Sequence, residues 1–360
     1  VNYYYLRPDI RYGSESLFDP YWVWINGSFD IMRNGVHDKD IFAHPWGHSF
    51  ENVSWNLLHP LQAIEDYGVD AFIEREIGNL STEVKKAQFA PNFALHAIGN
   101  GMKYKKLAEY YQYHGKSWPH LRSLLVSYSY HFVNELVENE YWSGANVDPI
   151  SDLYIFNPLG IALYSWPAFN RFMSGTLHLS DWSLQPYYDP FSRYLENTGQ
   201  QWMARYYLNE EKGRALFSYF GVDVILGYSW TSRRDSDASW SFGAGAGVNR
   251  LIETRTELSR VMLPEIDYEM GLFYDREKSL LFSAIVTGPR FFNIRLNAYP
   301  GLIRIRDWEP GFHLAFGESD AFMAGITLQR LPVGLGYRDT RAIRRLLAEH
   351  KIEWRKRFYD

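Results

Sequence analysis

Cysteine is absent from all 360 residues. That excludes disulfides, thiolate metal centres, cysteine nucleophiles and a lipoprotein anchor. No apolar run approaches the roughly 18 residues that a membrane-spanning helix needs. Walker loops, dinucleotide fingerprints, G-x-S-x-G elbows and EF-hand loops are missing too. A formal net charge of −5 argues against a general nucleic-acid binder. Contact with a membrane then requires a closed barrel or an interfacial helix.

What is abundant is aromatic: 27 Tyr, 23 Phe and 13 Trp, 18% of the chain. Such side chains suit positions with one apolar and one wet end, membrane interfaces included. The chain begins at Val1, as expected after removal of an export signal or for a truncated start.

Periodicity divides the chain. Residues 1–43 are aromatic and irregular and read as an arm or plug, with strand-like alternation in YWVWINGSFDI around Asn26-Gly27. Residues 44–172 have helical spacing and read as a bundle. His59-Pro60 opens one helix; Pro91 opens another that Gly99 and Gly101 would weaken or bend. Gly115 marks a stop and Ser117-Trp118-Pro119 a new start, while Asn157-Pro158 interrupts the last element. Residues 173–338 alternate with period two. Between Leu216 and Trp230 the even positions are almost all apolar, and the run from Ser239 to Asn249 sets Gly, Ser and Asn against Trp240, Phe242, Ala244 and Ala246. The expected architecture is α+β: an N-terminal helical bundle followed by an antiparallel transmembrane β-barrel of about 8–10 strands. Residues 339–360 form a basic stretch with Ile343, Leu346, Leu347 and His350 on one helical stripe, read as a terminal helix.

A soluble barrel buries its apolar face, whereas a membrane barrel turns it to lipid. Long runs, a Gly/Ser-rich polar face and aromatics near strand ends favour the membrane form. Asp223, Asn249, Glu265, Asp267, Glu269, Asn293 and Arg295 would then face a polar lumen.

The candidate chemistry lies in HFVNELVENEYWSGANVDPISDLYIFNPLG. His131 and Glu135 share a helix face and Glu138 lies one turn on, a spacing suited to a base with an orienting acid. Asp148, Ser151, Asp152 and Asn157 form the turn that follows. His178 and Ser180 are a second candidate catalytic pair, two apart on one strand face. The competing reading is structural: polar groups between helices cap ends and bond each other. No metal ligand set or cofactor motif is expected, and His44, His48 and His59 read as loop histidines.

Over HFVNELVENEYWSGANVDPISDLYIFNPLGIAL the chain resembles a little-characterised bacterial envelope family that joins a short helical region to an outer-membrane-type barrel. The likeness rests on a helical acid (Glu135 or Glu138), Ser151 and Asp152 in the turn, Asn157 and Gly160 after it, and the earlier His59-Pro60. It covers about a third of the chain, and the basic C-terminal stretch departs from it. The resemblance implies an envelope location and carries over no catalytic residue. The expected function is a structural or accessory outer-membrane protein of a Gram-negative-type bacterium, reached after export. Its expected partners are membrane lipid or lipopolysaccharide and proteins of an outer-membrane complex, with no nucleic acid. The alternatives are a lipid- or lipopolysaccharide-modifying hydrolase and a soluble β-barrel that binds an apolar ligand.

Overall fold

The computed structural model describes residues 3–34, 40–78, 89–255, 260–288, 292–317 and 321–339. The first half is helical: α1 Pro20–Ser28, α2 Trp46–Leu58, α3 Pro60–Tyr67, α4 Val69–Phe72, α5 Phe89–Asn92, α6 Gly101–Tyr113, α7 Pro119–Asn139, α8 Asp148–Ser151, α9 Asn157–Ser165 and α10 Pro167–Arg171. Four π-helical turns extend these helices: Ile73–Ile77, Phe93–Asn100, Asp152–Phe156 and Phe172–Thr176. The strands follow: β1 Ser180–Asp181, β2 Tyr187–Asp189, β3 Tyr194–Glu196, β4 Gln201–Asn209, β5 Arg214–Gly221, β6 Asp223–Thr231, β7 Ala238–Arg255, β8 Arg260–Arg276, β9 Ser279–Thr287, β10 Phe292–Ala298, β11 Gly311–Gly317, β12 Phe322–Thr327 and β13 Gly334–Arg338. The expected basic terminal helix lies outside the described residues.

Local chemistry explains several elements and corrects others. YWVWINGSFDI is helical, not a strand pair. Asp19 caps α1 by accepting from the Tyr21 and Trp22 amides at 2.7 and 2.9 Å, and Pro20 occupies the first turn. Gly27 is there for close packing, since a Cβ would stand 2.4 Å from the Tyr130 ring on α7. Gly99, Gly101 and Gly160 serve the same end. A Cβ on Gly160 would lie 2.7 Å from the Ala97 carbonyl, and one on Gly101 would lie 2.5 Å from Tyr164, so backbone meets backbone where α9 crosses α6. Gly115, at φ +63°, ends α6 in the left-handed conformation. Pro158 does not stop its helix: it falls in the first turn of α9, just after a π turn, where its missing N–H is tolerated.

The strands make one mixed sheet of thirteen, in the order β1-β4-β5-β6-β7-β8-β9-β10-β11-β12-β13-β2-β3. From β4 to β13 every neighbour is antiparallel, while β2 joins β13 in parallel. The run Leu216–Trp230 is a hairpin, turning at Gly221-Val222 so that even positions keep one face. Among the described residues no ladder joins the β1 end to the β3 end, so the sheet is not closed into a barrel. The expected helical bundle followed by a closed transmembrane barrel is therefore overturned. Alternation reports a strand's two faces, not whether the outermost strands meet. Strands of two and three residues, as β1–β3 are, leave no period at all. One chain stretch, from β1 to β2, instead reaches both β4 and β13 and is itself buried.

The helices are not a preceding bundle but share the sheet's core. Leu17, Phe18, Trp22, Leu107 and Tyr130 pack with Trp182, Met203, Phe217, Tyr219, Ile225, Phe273 and Ile285 from the sheet side. The inward glycines make room for these rings: a Cβ on Gly271 would reach Phe273 at 2.6 Å, and Cβ atoms on Gly325 and Gly336 would strike Tyr187. α6 anchors the assembly through three charges three residues apart. Lys103 pairs with Asp181 and donates to Ser183 Oγ at 2.8 Å, and Lys106 pairs with Glu15 at 2.8 Å. Glu109 accepts from the amides of Tyr4, Tyr5 and Leu6. Burial pulls Lys103 down to about 8. Burial alone would push Asp181 up, yet Lys103 and Lys106 outweigh it and hold the carboxyl below its usual range.

Removing one partner of such a pair leaves the other charge buried. Asp181→Ala is expected to lower the unfolding free energy by about 3–5 kcal/mol in denaturant titration, and Lys103→Met/Asp181→Leu to recover most of that. A loss below about 1 kcal/mol would show that these charges are solvated.

Candidate functional site: a buried acid and histidine centre

Three of the π turns each deliver one polar side chain to the space beside α7: Glu76, His96 and Asp152. Widened turns of this kind recur at functional sites because they displace a side chain from its regular position. His96 Nε2 lies 2.9 Å from Asp152 Oδ2, and its Nδ1 lies 3.3 Å from Asn157 Oδ1. Asn100 also donates to Asn157 Oδ1, at 2.9 Å, and receives the Tyr130 hydroxyl. Asn92 donates to Glu76 at 3.1 Å and to Ser151 Oγ at 3.4 Å; Ser151 Oγ donates to the Asp148 carbonyl at 2.9 Å. Asn134, on α7, donates to Asp30 at 2.6 Å.

The structure thus gathers His131, Glu135, Asp148, Ser151, Asp152 and Asn157 into one region, with Glu138 on the same helix and electrostatically coupled to the acids. It does not join His131 to Glu135 by a hydrogen bond. The His131 ring lies against His96 and Tyr130, at centroid distances of 4.6 and 4.4 Å, and its Nε2 is buried without a partner. Burial, then the neighbouring His96, holds His131 well below its ordinary value and so neutral. Burial also pushes Glu135 far up, helped by Asp152 and Asp148, and pushes Asp148 up beside Asp152 and Glu138. Burial raises Glu76 to about 7 despite Arg75, and Asp30 to about 7 despite His96. Burial would lower His96, but Asp152, Asn157 and Asp30 together outweigh it and raise the ring. Such a centre holds protons on carboxyls near neutral pH. Among the described residues no three His, Asp or Glu side chains converge to hold a metal ion.

The second candidate pair lies elsewhere. Ser180 Oγ donates to the backbone carbonyl of His178 at 3.1 Å, not to its ring. The His178 ring meets Lys278 Nζ at 2.8 Å and Tyr207 edge-on; burial and Lys278 push it down to about 4. The loop histidines are engaged separately. His44 meets Ser49 and the Leu136 carbonyl, His48 meets Ser143 and the Trp142 carbonyl, and His59 stacks on Trp55.

The polar sheet residues are packed rather than lining an open space. Asp223 and Glu269 are buried on the inward face, and a Cβ on Gly247 would contact both. Asp267 and Arg295 are half-buried on the same face, and Asn293 falls at the β10 bulge. The side chains of Asn249 and Glu265 lie outside the described residues. Sequence reasoning passed over Arg205, which bonds Ser229 at 2.8 Å, Ser241 at 2.9 Å and Asp275 at 3.0 Å, crossing from β4 to β8. Its inward parity within QWMARYYL was the available signal. Glu76 and Asn92 were also missed: no residue pattern marks the π turn that aims Glu76, and Asn92 ends the short helix α5.

The outward face is the reverse. Tyr206, Leu216, Leu226 (62% exposed), Trp230, Phe242, Tyr268 (89%), Met270, Val286, Ile294, Phe316, Ile326, Leu335 and Tyr337 are all exposed on it. Following the ladders from Tyr206 to Tyr337, described outward positions are apolar or aromatic apart from Ser218, while Trp202 at the start of β4 is packed against the helices; Asn209, Arg214 and Arg276 stand only at strand ends beside turns. One ladder row beside those turns is aromatic across neighbouring strands: Trp230, Trp240, Tyr274 and Phe282.

Linkage fixes the sign of the pH response. A carboxyl whose folded pKa is raised contributes stability that is full below its unfolded value of 4.5 and is lost as pH rises through the folded value. His131, being depressed, acts oppositely, and His96 acts with the carboxyls. Comparison with Glu135→Gln cancels both histidines. The variant is expected to match the wild type at pH 4 and to exceed it in denaturation midpoint by a margin that grows toward pH 8. A margin independent of pH would show that Glu135 ionises normally. No family model, curated protein or solved structure matches this chain.

Proposed function

We propose that the protein is a lipid-seated component of a bacterial envelope, with a structural or accessory role in an envelope assembly of the outer membrane. The observation that carries this reading is the outward sheet face, which among the described residues is apolar over ten successive strands and free of charge between its end rows. With more than a dozen side chains there about half exposed, the apolar surface is on the order of 1,000 Å², beyond the few hundred that soluble monomers expose as one patch. A protein partner covers a patch; hydrocarbon covers a whole face.

The inverted polarity supports the same reading. Arg205–Asp275 and Lys103–Asp181 lie under the sheet while Leu and Phe lie outside it. Unpaired sheet edges are excluded from hydrocarbon, and here the terminal strands are covered: Ser180, Asp181, Tyr187, Asp189, Leu195 and Glu196 are all buried. Among the described residues no helix is long and apolar enough to cross a membrane; in this reading the sheet supplies the lipid contact. The envelope resemblance agrees with this location. The buried acid centre then serves as the hydrogen-bonded joint between helices, under a sheet whose outer side is dry.

A charged side chain facing hydrocarbon costs about 2.5–3.5 kcal/mol. Leu226→Arg is therefore expected to lower partition into phosphatidylcholine vesicles by roughly a hundredfold, while Ser218→Leu does not lower it. Equal partition of Leu226→Arg and the wild type would place this face in water.

A further inference from the structure

At the turn-bearing end of the sheet, the N-terminal segment, α1 and the α6–α7 connection enclose an open groove of about 1260 Å³. We propose that this groove binds the phosphate-bearing headgroup of an anionic lipid. The inference rests on the lipid-seated reading and adds to it a specific site and a charge preference.

Charge complementarity comes first. The groove is lined by Arg7, Arg11, Lys116, Arg122 and Arg330 against two acids. Both acids are already engaged: Glu15 pairs with Lys106, and Asp19 caps α1. Arg122 is held over the Tyr111 ring and donates to the Ser117 carbonyl at 2.8 Å. Arg7 donates to the Glu277 carbonyl. Arg11, Lys116 and Arg330 are exposed and reach no acid among the described residues, so they are available to an anion. Arginine and lysine together suit phosphate oxygens, through forked and point-charge contacts respectively.

Position and lining come second. The wall between the cations is aromatic, with Tyr21, Trp24, Tyr110, Tyr111 and Tyr113, amphipathic rings of the kind that settle at headgroup level. The groove also touches the strand ends. Gln329 and Arg330 sit in the β12–β13 turn, and Gln329 holds the N-terminal segment through the Arg11 carbonyl at 2.9 Å. The same turn joins Ile326 to Leu335, both exposed on the outward apolar face. A headgroup in the groove therefore lies beside a surface suited to its acyl chains, which a free phosphate would not use.

The test is partition of the full chain into vesicles of phosphatidylcholine alone and of phosphatidylcholine with phosphatidylglycerol, at low ionic strength. The wild type is expected to enter both and to favour the anionic vesicles by about tenfold. Arg11→Ala/Lys116→Ala/Arg330→Ala should enter both equally, whereas Arg233→Ala/Arg234→Ala/Arg304→Ala, with the same charge change at other turns, should keep the preference. Equal entry by the wild type, or equal loss in both triple variants, overturns the groove. So does removal of the preference by soluble glycerol phosphate at the lipid's own concentration, which would assign the groove to free phosphate. Failure of the lipid-seated reading has a different signature: the wild type then stays in the aqueous phase with either vesicle.

Discussion

The structure depends on a row of buried charges along one side of α6. Lys103, Lys106 and Glu109 recur every three residues and therefore lie along one side of the helix, and each holds a different part of the chain. Lys103 takes β1 through Asp181 and Ser183, Lys106 takes Glu15, and Glu109 takes the backbone of Tyr4 to Leu6. Hydrogen bonds such as those of Ser14 with Asp181 and Leu280 add to the tie between the N-terminal segment and the sheet, but the row supplies its buried charges. Desolvating three charges is costly, so the arrangement holds only with every partner in place.

The sheet continues the same logic outward. Its inner side carries ion pairs, serines and glycines around aromatic rings, and among the described residues its outer side carries almost nothing polar. A water-soluble sheet packed against helices hides its apolar face and wets the other. Here the inner face is packed against protein and the outer, apolar face is exposed, and it is this exposed face that the proposed lipid contact would cover. The buried acids around Glu135 fit this arrangement: protonated carboxyls can donate as well as accept, so a crowded cluster stays neutral and bonded.

Much of this was legible in the residues, and the reasons for the rest are physical. Strand parity in Leu216–Trp230 and Trp240–Val248 could be read because a side-chain period of two survives a hairpin that keeps even positions on one face. Closure could not, because it depends on the outermost pairings, and β1, β2 and β3 are too short to show a period. Asp19-Pro20 was a readable cap and first turn, but the aromatic alternation of Tyr21, Trp22 and Trp24 obscured it. Gly99 and Gly101 read as weak points, although they exist to admit Trp202 and Tyr164. At the acid centre, helical spacing set His131 and Glu135 on one face and placed Asp148 and Asp152 in the following turn. Glu76 and the exact aim of His96 depend on π turns, which carry no residue signature.

The central claim is that the outward face meets hydrocarbon, and Trp230 and Trp240 lie on it opposite each other across β6 and β7. The most direct measurement is quenching of their fluorescence by lipids brominated along the acyl chain, read as the difference between the wild type and Trp230→Phe/Trp240→Phe. The account predicts strong quenching of the component those two residues contribute, greatest for bromines placed nearer the headgroup. Quenching of that component by aqueous iodide, with none by the brominated lipids, would contradict it.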